Sequence, residues 1–530
     1  MFFTSYEFIG FLAVVFLLYY VLPKKMQWPL LLVASYVFYF IASPVYVIFI
    51  FVTTITTFFA AQIIQRKKDA ASSYLAEHKK EMDREQRKAY KADAKKIQKR
   101  YFLACLLLNL GILAVLKYTN FTIANINGIV HAFGGGNTIS FVDIVLPMGI
   151  SFYTFQTMGY LIDVYRGTVV AEKNPFKLAL FVSFFPQLVQ GPISRWSDLS
   201  ASLFEQHKFD KRTVSFGLEK IMWGFFKKLV IADRMLVAVN EIIHNPETYS
   251  GVFVFFGMLF YALELYADFT GGIDITIGVA QTLGITVKEN FERPFFSKNI
   301  KEYWNRWHIT MGTWFTDYIF YPISVAGPML KIGKFSRKHF GENIGKRVPV
   351  YLSSFVVWFT TGIWHGASWN FIVWGLGNFV VIMISQELEP FYRWFHSKFH
   401  VDGKWGFRLF QVIRTVLLMS SLRLFDCYRD VPLTFRMFGT MFTDFNWGHL
   451  FDGSFLKLGL TIADYVILLA GTVLLTGVSL LNRRKSVRER IAAKPLPLRF
   501  ALWYGLFLII LIFGVYGIGY ESSQFIYNQF

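Results

Sequence analysis

Apolar runs separated by short charged or Gly/Pro-rich stretches recur along the whole chain. The clearest cover residues 8–22, 28–41, 45–64, 101–118, 216–232, 251–283, 356–375, 407–422, 465–481 and 500–520. A bilayer core about 30 Å thick is crossed by about 20 helical residues, since a helix satisfies its own backbone donors and acceptors in lipid. The pattern predicts an all-α polytopic membrane protein with about ten to twelve transmembrane helices plus re-entrant segments. No polar stretch is long enough for a soluble domain, so residues 1–530 are expected to form a single membrane-embedded domain.

Two segments break the pattern. Residues 146–166 open with Leu146-Pro147-Met148-Gly149-Ile150-Ser151-Phe152-Tyr153-Thr154-Phe155-Gln156 and later carry Asp163. Residues 184–195 hold Pro186, Gln187, Gln190, Pro192 and Arg195. Polar groups at membrane depth are tolerated where they face protein or a wet cavity, and proline interrupts a helix. Both segments are expected to line an internal space, the second with re-entrant geometry.

Charge orients the chain. Lys24 and Lys25 follow the first run, which puts them in the cytoplasm and the N-terminus outside. That run lacks a basic leader or small-residue cleavage site and is expected to be retained. Residues 66–100, with 13 Lys/Arg against six Asp/Glu, read as a cytoplasmic charged helical insertion. Arg483, Arg484 and Lys485 return the chain to the cytoplasm, so the last run leaves residues 521–530 as an extracellular tail. The formal charge of +19 is spread between apolar runs, as in loops near anionic lipid, and no nucleic-acid partner is expected. Cys105 and Cys427, both in or beside apolar segments, give neither a disulfide framework nor a metal site. Glu264, Asp268 and Asp274 read as buried pairs with neighbouring helices, and no spacing demands a metal.

Two histidines stand out. Residues 356–375 are long and apolar enough to cross a bilayer, with His365 in the middle and Gly362, Gly366, Ala367 and Ser368 leaving room around it. An ionised group there costs about 3 kcal/mol on insertion scales, so it needs a partner, a wet cavity or a role. His308 lies in a block of aromatic and charged residues, 290–318. If residues 303–320 form a helix, Trp304, His308 and Met311 share a face, with Trp307 and Trp314 on the next. These aromatics suit a membrane interface; with Lys298, Lys301 and Arg306 they also suit an anionic, partly aromatic ligand from the cytoplasm. The other histidines lie in polar or loop-like surroundings.

Three motifs carry a family resemblance: residues 146–156; Tyr303-Trp304-Asn305-Arg306-Trp307-His308-Ile309-Thr310 through Trp314-Phe315-Thr316-Asp317-Tyr318; and Gly362-Ile363-Trp364-His365-Gly366-Ala367. In this order they resemble the membrane-bound O-acyltransferase family, in its bacterial branch that acylates cell-surface polymers. The branch includes alginate and peptidoglycan O-acetylation membrane subunits and the teichoic-acid D-alanyl transferase. The resemblance implies a ring of helices around a central funnel, His365 as the catalytic histidine and His308 as the second functional one. It also implies donor-binding or funnel roles for Gln156, Trp304, Asn305, Arg306, Trp307, Asp317 and Trp364.

The implied activity is O-acetylation of an extracellular polysaccharide or cell-wall glycan, with acetyl-CoA as cytoplasmic donor and no bound cofactor or metal. The expected location is the plasma or inner membrane, with both termini extracytoplasmic. Histidine, with a pKa near neutrality, suits the general base that takes the hydroxyl proton. The chain has no Gly-x-Ser-x-Gly segment, so an extracellular or membrane-anchored SGNH-type transferase is the expected partner. The final residues, Phe525-Ile526-Tyr527-Asn528-Gln529-Phe530, resemble the C-terminal motif of the small partner peptide in D-alanylation systems. Tyr527 is therefore an expected acyl relay; the simpler reading is an interfacial aromatic anchor. The alternatives are D-alanyl transfer from a carrier protein and, in another class, a transporter without chemistry, whose repeated broken helices are not visible.

Overall fold

The charged residues 66–100 form the adjoining ends of two long helices and the turn between them. In the computed structural model, which describes residues 3–136, 138–483 and 485–516, Val47–Glu77 and Arg84–Ala132 each run unbroken from apolar into charged sequence. Asp83 starts the second helix with a reciprocal capping box to Gln86, a cap worth about 1 kcal/mol. Tyr74 stacks on Tyr90 at 4.6 Å across the turn. The polar residues that follow the apolar run 101–118 stay helical as far as Ala132. Thr119, Thr122 and Asn125 bond back to carbonyls of their own helix, while Asn120 and Asn127 pair with the backbone of Val142 and Ile139. Polar side chains that read as loop are satisfied inside the helix or by the returning strand of chain.

All regular structure among the described residues is helical. Among the described residues, seven helices are long and apolar enough to cross a membrane: Lys24–Ala42, Val47–Glu77, Arg84–Ala132, Val252–Thr282, Trp369–Glu387, Ile462–Leu481 and Leu496–Phe513. The anticipated ten to twelve crossings include Tyr6–Val21, of 16 residues, and Trp405–Tyr428, which carries Arg408, Arg414, Arg423 and Asp426. The protein is an all-α polytopic membrane protein.

Two compact units divide the chain, Met1–Val214 with Val279–Lys288 and Ser215–Gly278 with Glu289–Phe530. In the first, the Ile150–Arg166 helix is almost wholly buried and starts after Gly149, whose φ of 69° and closeness to the Leu188 carbonyl exclude a side chain. Pro175–Ser183 stops at Phe184, a single turn Phe185–Leu188 follows, and an extended stretch leads on; Phe185 N–H donates to Ser35 Oγ at 3.1 Å. The break falls where the prolines predict it.

In the second unit Asp268 and Asp274 of the Val252–Thr282 helix meet lysines from a π-helical segment, Phe226–Ala232. Lys228 Nζ lies 2.6 Å from Asp268 and 2.7 Å from Asp233, and Lys227 Nζ 2.7 Å from Asp274. A π turn is wider than an α turn, which lets adjacent lysines address one neighbouring helix, and it frees Leu229 O to accept Val515 N–H at 2.9 Å. Gly224 and Gly271 let the backbones close up; a Cβ on Gly224 would lie 2.6 Å from Gly271 O.

Candidate active site

The stretch expected to be one membrane span is two helices. Arg347–His365 ends at its histidine, Gly366 and Ser368 are extended across a bend, and Trp369–Glu387 turns back against it. Several contacts impose the break. A side chain at Gly366 would run into the Phe371 ring. Ser368 Oγ bonds to Asn370 Oδ1, and buried Asn370 donates to Phe425 O at 3.0 Å, which anchors the turn to the Trp405–Tyr428 helix. Glycines let the hairpin close: a Cβ on Gly362 would lie 2.6 Å from Phe371 O, and one on Gly375 2.5 Å from Trp358 O. His365 is thus half-buried at a helix end, its ring 4.6 Å from Trp374, 5.1 Å from Trp364 and 6.4 Å from Phe371.

The helix expected over residues 303–320 is also broken, and His308 is where it breaks. Ile300–Trp304 is capped by Asn299; His308 takes φ 49° and ψ 53°; Ile309–Phe315 follows and passes into a π-helical segment, Thr316–Phe320. A left-handed residue other than glycine costs about 1–2 kcal/mol, so neighbours must impose it. Asn290 does. Its backbone carbonyl accepts Ile309 N–H at 2.9 Å, and its Oδ1 accepts Thr310 N–H at 3.0 Å and Thr310 Oγ1 at 2.9 Å. The same amide lies 3.2 Å (Nδ2) and 3.3 Å (Oδ1) from His308 Nδ1, so it holds the ring in either tautomer.

His308 is 1% exposed, walled by Phe269 at 4.9 Å, Trp364 at 6.1 Å and Phe291 at 6.5 Å. It lies outside the seven apolar spans, and burial first, then the Arg423 cation, push its imidazole below the usual range. It is a neutral hydrogen-bonding group at pH 7. Trp364 lies beside both histidines, 6.1 Å from His308 and 5.1 Å from His365. A mostly buried aromatic wall therefore carries two imidazoles, one half-open and one enclosed, an arrangement that can move a proton and shield a reacting group from water.

Of the other expected residues, Trp304 and Trp307 join this wall. Trp304 Nε1 donates to Asn378 Oδ1 at 3.2 Å and its ring lies 5.8 Å from Trp374. Buried Trp307 stacks on Tyr303 at 5.6 Å and meets Phe291 at 5.1 Å. Asn305 is exposed, and Arg306 pairs with Glu302 at 2.6 Å. Asp317 lies half-buried on the π-helical segment. Gln156 is buried in the first unit, and Tyr527 falls outside the described residues. Sequence reasoning passed over Asn290, Trp374, and the buried pair Arg423–Asp426, whose Nη1 and Oδ2 lie 2.7 Å apart. An Arg and Asp three residues apart at the end of an apolar run was the available signal for the last.

Residues 171–336 match the membrane-bound O-acyltransferase (MBOAT) family. The chain is 32% identical over 355 residues to the probable alginate O-acetylase AlgI of Pseudomonas syringae pv. tomato, covering 66% of this chain and 61% of that one. It is 30% identical over 317 residues to the peptidoglycan O-acetyltransferase of Helicobacter pylori, covering 55% and 56%. It is 29% identical over 272 residues to the teichoic acid D-alanyltransferase of Bacillus subtilis, covering 49% and 63%. The matched stretch spans less than two thirds of each of these relatives.

Proposed function

Because this chain carries a membrane-bound O-acyltransferase family domain, we propose that it moves an acetyl group from cytoplasmic acetyl-CoA across the plasma or inner membrane, for O-acetylation of an extracellular polysaccharide or cell-wall glycan. The observation that carries the reading is the position of Trp364 beside both His308 and His365. His365 is the general base. It takes the acceptor hydroxyl proton as that oxygen attacks the thioester carbonyl; the C–S bond breaks and the proton passes to the leaving thiolate. His308, neutral and enclosed, completes the site. Trp304, Asn305, Arg306, Trp307, Asp317, Trp364 and Gln156 serve the donor and its funnel.

Relatives named as O-acetylases of alginate and peptidoglycan support acetyl as the acyl group and a surface glycan as its destination. Tyr527 is proposed as the relay that carries acetyl to an SGNH-type partner outside the membrane, where both termini lie. Membranes given acetyl-labelled coenzyme A test this. The account expects label on Tyr527 and on the surface polymer. Label on the polymer with none on Tyr527, and unchanged transfer in Tyr527→Phe, removes the relay. No label on either removes acetyl-CoA as donor.

A further inference from the structure

The Trp405–Tyr428 helix carries an ion pair that the proposed chemistry does not use. Arg423 is 5% exposed and Asp426, one turn on, is 5% exposed. Three indoles lie near the guanidinium: its carbon is 4.9 Å from the Trp374 ring, 5.2 Å from Trp307 and 5.9 Å from Trp304. One cation on three indole rings is more than charge balance requires, since Asp426 alone neutralises it. Arginine stacks on aromatic planes, and the attraction grows when water is excluded.

Those rings lead to the histidines. Trp374 is fully buried and edge-on to His365 at 4.6 Å. Trp307 packs against Phe291 at 5.1 Å and Phe269 at 6.3 Å, both of which touch the His308 ring. Trp304 is tied through Asn378, whose Nδ2 donates to Trp374 O at 2.9 Å.

We propose that Arg423 is a positioning residue that acts through Trp374, clamping the aromatic wall that sets the orientation and access of His365. This rests on the reading of His365 as the base, but its test does not require acyl transfer.

The test is carbethoxylation of purified full-length protein by diethylpyrocarbonate at fixed pH, with the rate at His365 followed by peptide mass spectrometry and enclosed His308 as internal reference. Arg423→Met strands Asp426 without its cation and can unfold locally, so Arg423→Met/Asp426→Asn, which removes both charges, is run beside it. The expected result is a rate at His365 about threefold or more above wild type in both variants, an intermediate rate in Arg423→Lys, which keeps the charge but not the planar stack, and no additional change when Trp374→Phe is combined with the charge-free pair. A wild-type rate in the charge-free variant overturns the proposal. So does an effect that multiplies with that of Trp374→Phe, because independent sites do not share a path. A protein that consumes no acetyl-CoA yet shows the expected reactivities removes acetyl-CoA as the donor and leaves the clamp standing.

Discussion

The His308 and Trp364 rings stand 6.1 Å apart with their planes at 61°. Trp364 is the residue before His365, so this one contact ties the turn that carries the enclosed imidazole to the helix end that carries the open one. Neither histidine is in a regular helical interior. Both depend on breaks that distant residues enforce.

Asn290 should be the most sensitive of those residues. Asn290→Ala leaves buried Thr310 donors unmet at about 1–3 kcal/mol each and removes the His308 support, so it should lower Tm and abolish acetyl transfer. Asn290→Asp keeps the acceptor for Thr310 and should recover much of the Tm but not the activity. Thermal unfolding in detergent, with donor consumption measured in parallel, checks both.

The helix hairpin at His365 should not tolerate a methyl group. Gly362→Ala puts a Cβ 2.6 Å from a backbone carbonyl, and overpacking of this kind costs about 1–3 kcal/mol. Gly439→Ala, on the Val431–Thr443 helix with nothing within 4 Å, should be neutral or stabilise by about 0.5–1 kcal/mol. Equal Tm values for the two variants would contradict the close approach.

His308 should make the fold acid-sensitive. Its folded pKa lies below the ordinary 6.5, so below about pH 6.5 the unfolded chain binds a proton that the folded chain does not. The stabilising contribution is complete above that pH and is lost progressively as pH falls towards the folded value. His308→Asn, which cannot titrate, should show a shallower loss of Tm between pH 7 and about pH 5 than wild type.

Lys228 holds two carboxylates at 1% exposure. Lys228→Met leaves Asp233 and Asp268 without their cation, and breaking a buried pair from one side costs about 3–5 kcal/mol. Little folded protein should be recovered, while Lys228→Met/Asp268→Asn should regain part of the yield.

The sequence made the helices legible because apolar runs of span length have few other solutions. It also marked His308 and His365 as titratable groups in aromatic, glycine-rich surroundings. The breaks at both were not legible. Gly366-Ala367-Ser368 contains no proline and is compatible with a continuous span; Phe371 and the Asn370 bond to Phe425 O, on another helix, end it. The left-handed turn at His308 is imposed by an asparagine 18 residues earlier, which no helical spacing connects to it. The pairing of Asp268 and Asp274 was readable, but the π-helical geometry that aims their lysines was not. Arg423 is not legible because the apolar run stops at residue 422, one position short of the pair that continues the helix to Tyr428.

The most direct test of His365 as the base is the ester-linked acetyl content of the surface polymer in cells whose only copy of this protein carries His365→Ala, with membrane levels matched to wild type. The account predicts acetyl falling to the level of a deletion strain. Normal acetylation in that variant would contradict it.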